Sequence, residues 1–157
     1  MLETLALAAA AGATRPPPSR FLRVDAARRT VVLTLVASDG PANNGFNFDG
    51  YGRGELLVRV PRGFRVSVEC RNAGPLRNSC AVVSGPMATV LAFPGASTPS
   101  PVLGLPSGGS ATFSFLASRP GVYRIASLVP GHAQARQYAV LQVTRGGRPS
   151  ISARAGP

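Results

Sequence analysis

One histidine, two cysteines and six acidic residues are the strongest metal donors and proton-transfer groups in this chain of 157 residues. The histidine, His132, ends a Pro130-Gly131-His132 turn, with Ser127 on one side of it and Gln137 on the other. An imidazole on such a turn is available for a weak metal or partner contact, but a tight site needs further strong donors. Cys80 can serve as a soft-metal ligand only while it and Cys70 both stay reduced. No serine, histidine and acid set and no cysteine–histidine pair can be argued for nucleophilic catalysis, and the acids are scattered without local pairing. The side-chain inventory argues against an enzyme.

The elements that must position these residues read as strands. Thr30–Ala37 is a β-branched run with no helical period, closed by Ser38-Asp39-Gly40-Pro41, and 55–60 alternates after a Gly-rich turn. In 64–70, Val66, Val68 and Cys70 fall on one face and Arg65, Ser67 and Glu69 on the other, as a half-buried strand requires. Further strands are expected at 79–84, 87–93, 110–117, 121–128 and 138–144, separated by Gly85-Pro86, Pro106 to Gly109 and Pro120-Gly121. Residues 94–108 read as a Pro/Gly/Ser loop and 145–157 as a flexible tail. Glycines number 18 and prolines 15, spread between short apolar runs, which is the pattern of a sandwich or barrel in one domain-sized chain.

All 17 basic residues are arginine, and the formal net charge is +11. Such a balance can signal nucleic acid, an anionic surface or an acidic partner. Only Arg28-Arg29 are adjacent, and there is no basic run and no stacking-aromatic motif, which argues against nucleic acid. The first 14 residues, MLETLALAAAAGAT, form an apolar leader with the length of a signal-peptide core but with Glu3 in place of a cationic start. They read as a truncated signal or anchor remnant, or as a short alanine-rich helix capping the domain. Membrane association would run through this leader alone, because no later stretch reaches the ~18 apolar residues of a span. Residues 15–20, with Pro16-Pro17-Pro18, read as a stiff linker, and 21–144 as the domain.

If the strands carrying Cys70 and Cys80 belong to opposite sheets, both sulfurs point into the gap between them, and a disulfide becomes feasible. Two buried free thiols are the alternative.

Thr30 to Val83 and Phe113 to Val143 together resemble sulfocyanin, a cupredoxin. The residues that carry the likeness are Asn43-Asn-Gly-Phe-Asn-Phe-Asp-Gly50, the Val60-to-Val68 strand entry, Pro75-Leu76 and the Tyr123-to-His132 loop, and the match runs from Phe21 to about Val143. The resemblance implies an all-β, cupredoxin-like Greek-key β-sandwich of about seven to eight strands, an extracytoplasmic setting, and electron transfer through one type 1 copper. That copper takes two histidines and a cysteine in a trigonal plane with a weak axial methionine.

Carried over residue by residue, the first histidine falls on Asn78, the cysteine on Ser127, the second histidine on His132 and the methionine on Gln137. An amide oxygen can replace the axial thioether, but a neutral amide is a poor substitute for imidazole, and a serine hydroxyl does not supply a soft anionic ligand. A blue site is therefore not expected. His132 is then read as a loop residue bonded to Asn78 or Ser127, within a neutral polar network filling the former copper cavity. An altered site of Cys80, His132 and Gln137 would need a reduced Cys80, which in a strand lies ~6–7 Å beyond Asn78. The expected role is a non-redox binding or structural module. Its working surface is expected at Asn43–Tyr51, Leu76–Ser79 and Ser127–Gln137, with Arg53, Arg77 and Arg136 able to meet an acidic protein partner.

Overall fold

The alternation seen in the sequence becomes two facing sheets in the computed structural model, which describes residues 15–154. The first sheet orders β1 (Leu22–Asp25), β2 (Thr30–Ala37), β4 (Arg65–Asn72) and β6 (Ser110–Leu116) as β1-β2-β4-β6. The second orders β5 (Ala81–Val83), β7 (Gly121–Ala126), β8 (Tyr138–Thr144), β3 (Leu56–Pro61) and β9 (Ser150–Ala153) as β5-β7-β8-β3-β9. The parallel pairs β2–β4 and β3–β8 join strands far apart in sequence, while the remaining neighbours are antiparallel. This is the Greek-key β-sandwich expected from the sequence.

Side-chain period fixes which face turns inward. Val31, Leu33, Leu35 and Ala37 of β2 and Val66, Val68 and Cys70 of β4 are buried, and they meet Val58, Val60, Ile125, Leu141 and Val143 from the other sheet across Phe48, Phe93 and Phe115. The second sheet is also covered on its outer face, where Leu57, Val83, Ala126, Tyr138 and Val140 form a smaller apolar cluster with Ala88 and Leu128. That explains why β3, β5 and β8 read as nearly continuous apolar runs.

Cys70 on β4 and Cys80, one residue before β5, are joined by a disulfide with Cα atoms 6.2 Å apart. The bridge ties one sheet to the other, so the alternative of two free thiols does not hold.

Three sequence expectations are corrected. Residues 87–93 are not a strand: after Gly85-Pro86, Met87 takes a left-handed φ of 61°, and the segment's backbone pairs with a strand only at a single Leu91–Val83 bridge. The supposed flexible tail contains β9, which pairs antiparallel with β3 and is held beyond its end by Arg154 N–H donating to Glu55 O at 2.7 Å. An open β3 edge offers unpaired backbone groups, and the tail satisfies them. Residues 15–20 are not a free linker either. Arg15 forms an ion pair with Glu55 at 3.0 Å, the Tyr51 hydroxyl donates to Pro16 O at 2.8 Å, and Pro18–Phe21 is a 3₁₀ turn. The folded unit thus extends past 21–144 at both ends. Residues 1–14, read as a leader, lie outside the described residues. Among those described, no helix is long and apolar enough to cross a membrane.

Candidate functional site

The four positions Asn78, Ser127, His132 and Gln137 converge at one end of the sandwich, and all four are buried. Asn78 sits on a backbone bridge with Leu105, whose carbonyl accepts from Asn78 N–H at 3.1 Å. Gly104 makes this bridge sterically allowed: a Cβ there would lie 3.0 Å from Asn78 N and O and 2.7 Å from a Val129 methyl. One residue on, Ser79 and the start of the last loop hold each other reciprocally. Ser79 N–H donates to Ser127 Oγ at 3.1 Å, and Leu128 N–H donates to Ser79 Oγ at 2.9 Å. These bonds fix Ser127 at the end of β7 and start the 128–137 loop, which closes with Gln137 N–H donating to His132 O at 3.1 Å.

The side chains satisfy one another. His132 Nδ1 and Ser127 Oγ share a hydrogen bond of 2.9 Å. Gln137 Nε2 donates to Asn78 Oδ1 at 2.9 Å and to Asn47 O at 3.1 Å. Asn78 Nδ2 donates to Asn72 Oδ1 at 2.8 Å and to Ser38 Oγ at 3.1 Å, and Asn72 Nδ2 donates on to Leu76 O at 2.7 Å. The one buried atom of this group without a partner is Gln137 Oε1. Burial pushes the His132 imidazole below its ordinary range, against a weaker opposing pull from the Gln137 side chain, so the ring is neutral at neutral pH. Every member of the cluster is then uncharged.

His132 is 5 % exposed, with Phe46 edge-on at 5.3 Å, so the reading of it as an exposed imidazole does not hold. It helps to line a cleft of about 200 Å³ whose walls include Ser38, Phe46, Gly74 and Leu76. The expected working surface contracts accordingly. Asn47–Tyr51 are buried, as are Asn78 and Ser79, whereas Leu76, Arg77, Arg53 and Arg136 remain exposed.

Three polar residues of the Asn43-to-Gly50 motif had no individual role assigned from the sequence. Asn43 Nδ2 donates to Phe46 O at 2.7 Å and to Ala135 O at 2.8 Å, which ties its loop to the 128–137 loop. Asn47 Oδ1 accepts from Asp39 N–H at 2.9 Å and its amide donates to Ala42 O at 2.8 Å. Asp49 Oδ1 accepts from Val36 N–H at 2.7 Å while its Oδ2 is buried without a partner. Burial, only partly offset by that hydrogen bond, pushes the Asp49 carboxyl up to about 8, so it keeps its proton at neutral pH. Their sequence signal was the Asn43-to-Gly50 motif, whose polar residues brace the site.

Cys80 does not join the cluster, because its sulfur is bonded to Cys70. Among the described residues, no group of three His, Cys, Asp or Glu side chains is placed to hold a metal ion.

Comparison with known proteins places these observations. Residues 17–147 match the family described as the Sulfocyanin (SoxE) domain. Among solved structures, dithionite-reduced auracyanin from the photosynthetic bacterium Roseiflexus castenholzii is similar at 21% identity over 74% of this chain and 97% of that one, with a TM-score of 0.51. Reduced rusticyanin is similar at 20% identity over 78% of this chain and 88% of that one, with a TM-score of 0.50. The blue copper oxidase from Nitrosomonas europaea is similar at 19% identity and a TM-score of 0.56 over 72% of this chain, which spans 38% of the oxidase. At these identities the solved structures show the fold alone. No curated protein sequence matches the chain.

Proposed function

The chain belongs to the sulfocyanin family of cupredoxins, and we propose that it works without type 1 copper, as a non-redox and non-enzymatic binding or structural module outside the cytoplasm. The carrying observation is the 2.9 Å hydrogen bond between His132 Nδ1 and Ser127 Oγ. Two donors held tetrahedrally at about 2.0–2.1 Å from one metal ion stand roughly 3.4 Å apart, and here the gap is closed. The residues present do not fit the family's copper: one imidazole, one hydroxyl and two amides contain no soft anion, and the Asn78 amide is engaged at both ends, by Asn72 and by Gln137. The cross-sheet disulfide favours an oxidising compartment over the cytosol.

The test is copper content and visible absorption before and after adding Cu(I) and Cu(II), with His132→Ala beside the wild type. The expected result is uptake no tighter than a lone imidazole gives. Stoichiometric tight copper that His132→Ala abolishes, with an intense thiolate-to-copper band, would overturn the proposal and return the domain to electron transfer or copper handling. That second reading, with Cys80, His132 and Gln137 as ligands, requires the disulfide to open. Mass spectrometry without reductant is expected to find Cys70 and Cys80 bridged.

A further inference from the structure

Away from the polar cluster, the other side of the 128–137 loop meets the outer face of the second sheet. There Pro86, Arg124, Ala133, Gln134, Arg136 and Tyr138 line an open cleft of about 320 Å³. The Arg124 guanidinium carbon lies over the Tyr138 ring, 3.7 Å from its centroid. Stacking of this kind fixes the plane of the guanidinium and leaves its N–H edge free to bond in that plane. Arg53 joins the group through the backbone, its N–H donating to Arg136 O at 2.9 Å. Arg53 and Arg136 both hold a left-handed φ of 59°, a conformation that glycine or asparagine takes with less strain. Two arginines therefore stand where backbone conformation alone favours other residues.

Among the described residues, these cations have no ion-pair partner. The three ion pairs among the described residues use Arg15, Arg23 and Arg28, and none involves Arg53, Arg124 or Arg136. Glu55, the acid nearest to them in sequence, is engaged by Arg15 and by Gly52 N–H. With 17 arginines against six acids, the surplus must be met from outside the chain.

Resting on the reading of the domain as a binding module, we propose that the Arg124–Arg136–Tyr138 cleft, flanked by Arg53, is a carboxylate-binding site that docks an acidic segment of a partner protein. A planar guanidinium held on edge matches a planar carboxylate through two parallel N–H···O bonds. The cations cluster at one spot with a cleft of side-chain size between them, whereas a nucleic-acid track needs cations spaced along a phosphate backbone. Arg77, grouped with Arg53 and Arg136 on sequence grounds, stands apart: its Nη1 donates to Gly104 O at 3.1 Å, beside Asn78.

The test uses the full chain and a fluorescently labelled octaglutamate peptide at physiological ionic strength, read by anisotropy. Arg124→Ala with Arg136→Ala is expected to weaken binding roughly tenfold or more, the loss typical of charge-assisted bidentate contacts. Arg145→Ala with Arg148→Ala removes the same charge from the turn beyond the far end of β8 and is expected to change it by less than about threefold, as diffuse field effects do. Arg136→Glu, which leaves the Arg124–Tyr138 stack in place, is expected to abolish binding. Equal losses in the two double variants, or no binding of the peptide by the wild type, would overturn the proposal. So would an oligonucleotide of equal charge that binds more tightly and loses affinity on the same substitutions. Copper uptake would sink the preceding proposal and leave this cleft untouched, whereas failure here leaves the copper-free domain standing.

Discussion

Cys80 and Asn78 stand two residues apart, yet they close the molecule in different ways. Cys80 is bonded across the gap to β4, inside a core of aliphatic and aromatic side chains that no proton or ion can alter. Asn78 sits in a chain of amides, hydroxyls and one imidazole that is held only by hydrogen bonds. The covalent region is fixed by shape and connectivity. The polar region is fixed by the satisfaction of every donor, and one missing partner leaves a desolvated group behind. The end of the sandwich around Asn78, Ser127, His132 and Gln137 is therefore held by side chains that pair with one another.

The contrast can be sharpened by pH, which should act on the polar end alone and give the largest effect. Asp49 keeps its proton in the folded state up to about 8, while the unfolded chain loses it near 3.8. Between those values the folded state binds more protons, so stability should fall as pH rises through this window, by at most about 1.4 kcal/mol per pH unit. His132 works with the opposite sign: its lowered folded value means that the unfolded state takes up the proton first as pH falls below 6.5, and stability is lost on the acid side. Asp49→Asn, measured by urea unfolding across the pH range, should flatten the alkaline fall and leave the acid one. An unchanged profile would mean that Asp49 ionises within the fold.

Breaking the covalent end comes next. Cys70→Ala with Cys80→Ala removes a crosslink spanning a separation of 10 residues, and should lower stability by about 3 kcal/mol through the restored entropy of the unfolded chain. The pH profile should keep its shape and shift downward as a whole. A change of shape would show that the two regions are coupled. The smallest effect is expected from Asn78→Leu, which strips Gln137 Nε2 and Asn72 Oδ1 of a partner at an expected loss of about 1–3 kcal/mol. A neutral or stabilising result by denaturant unfolding would mean that the network gives way to apolar packing without penalty.

The β2, β4, β6 and β8 strands were legible because side-chain alternation and β-branched composition report directly on burial. The 87–93 segment misled for the same reason: its apolar residues suggest a strand, but a left-handed Met87 removes it from the ladder and leaves Val90 78% exposed. β9 was invisible because its pairing rests on an open β3 edge, a property of another part of the chain. At the site, the four matching positions were legible from the family resemblance, and their convergence is observed. Asn72 was not named, and Ser79 and Asn47 were expected on a working surface and not as partners in a buried network, because an isolated asparagine or serine looks alike in a turn and in such a network.

By itself the sequence determined the chemistry that this chain can offer: one imidazole, no cysteine between Tyr123 and Gln137, and an arginine surplus that no internal acid can balance. These are properties of side-chain type, and no fold can add a missing thiol. Only the tertiary structure decided that the Cys80 sulfur is bonded to Cys70, that His132 lies buried against Ser127, and that Arg124, Arg136 and Tyr138 line one cleft. Those outcomes depend on which strands of two sheets come face to face and how the last loop folds over them. Distances across a sandwich are set by packing between residues remote in sequence.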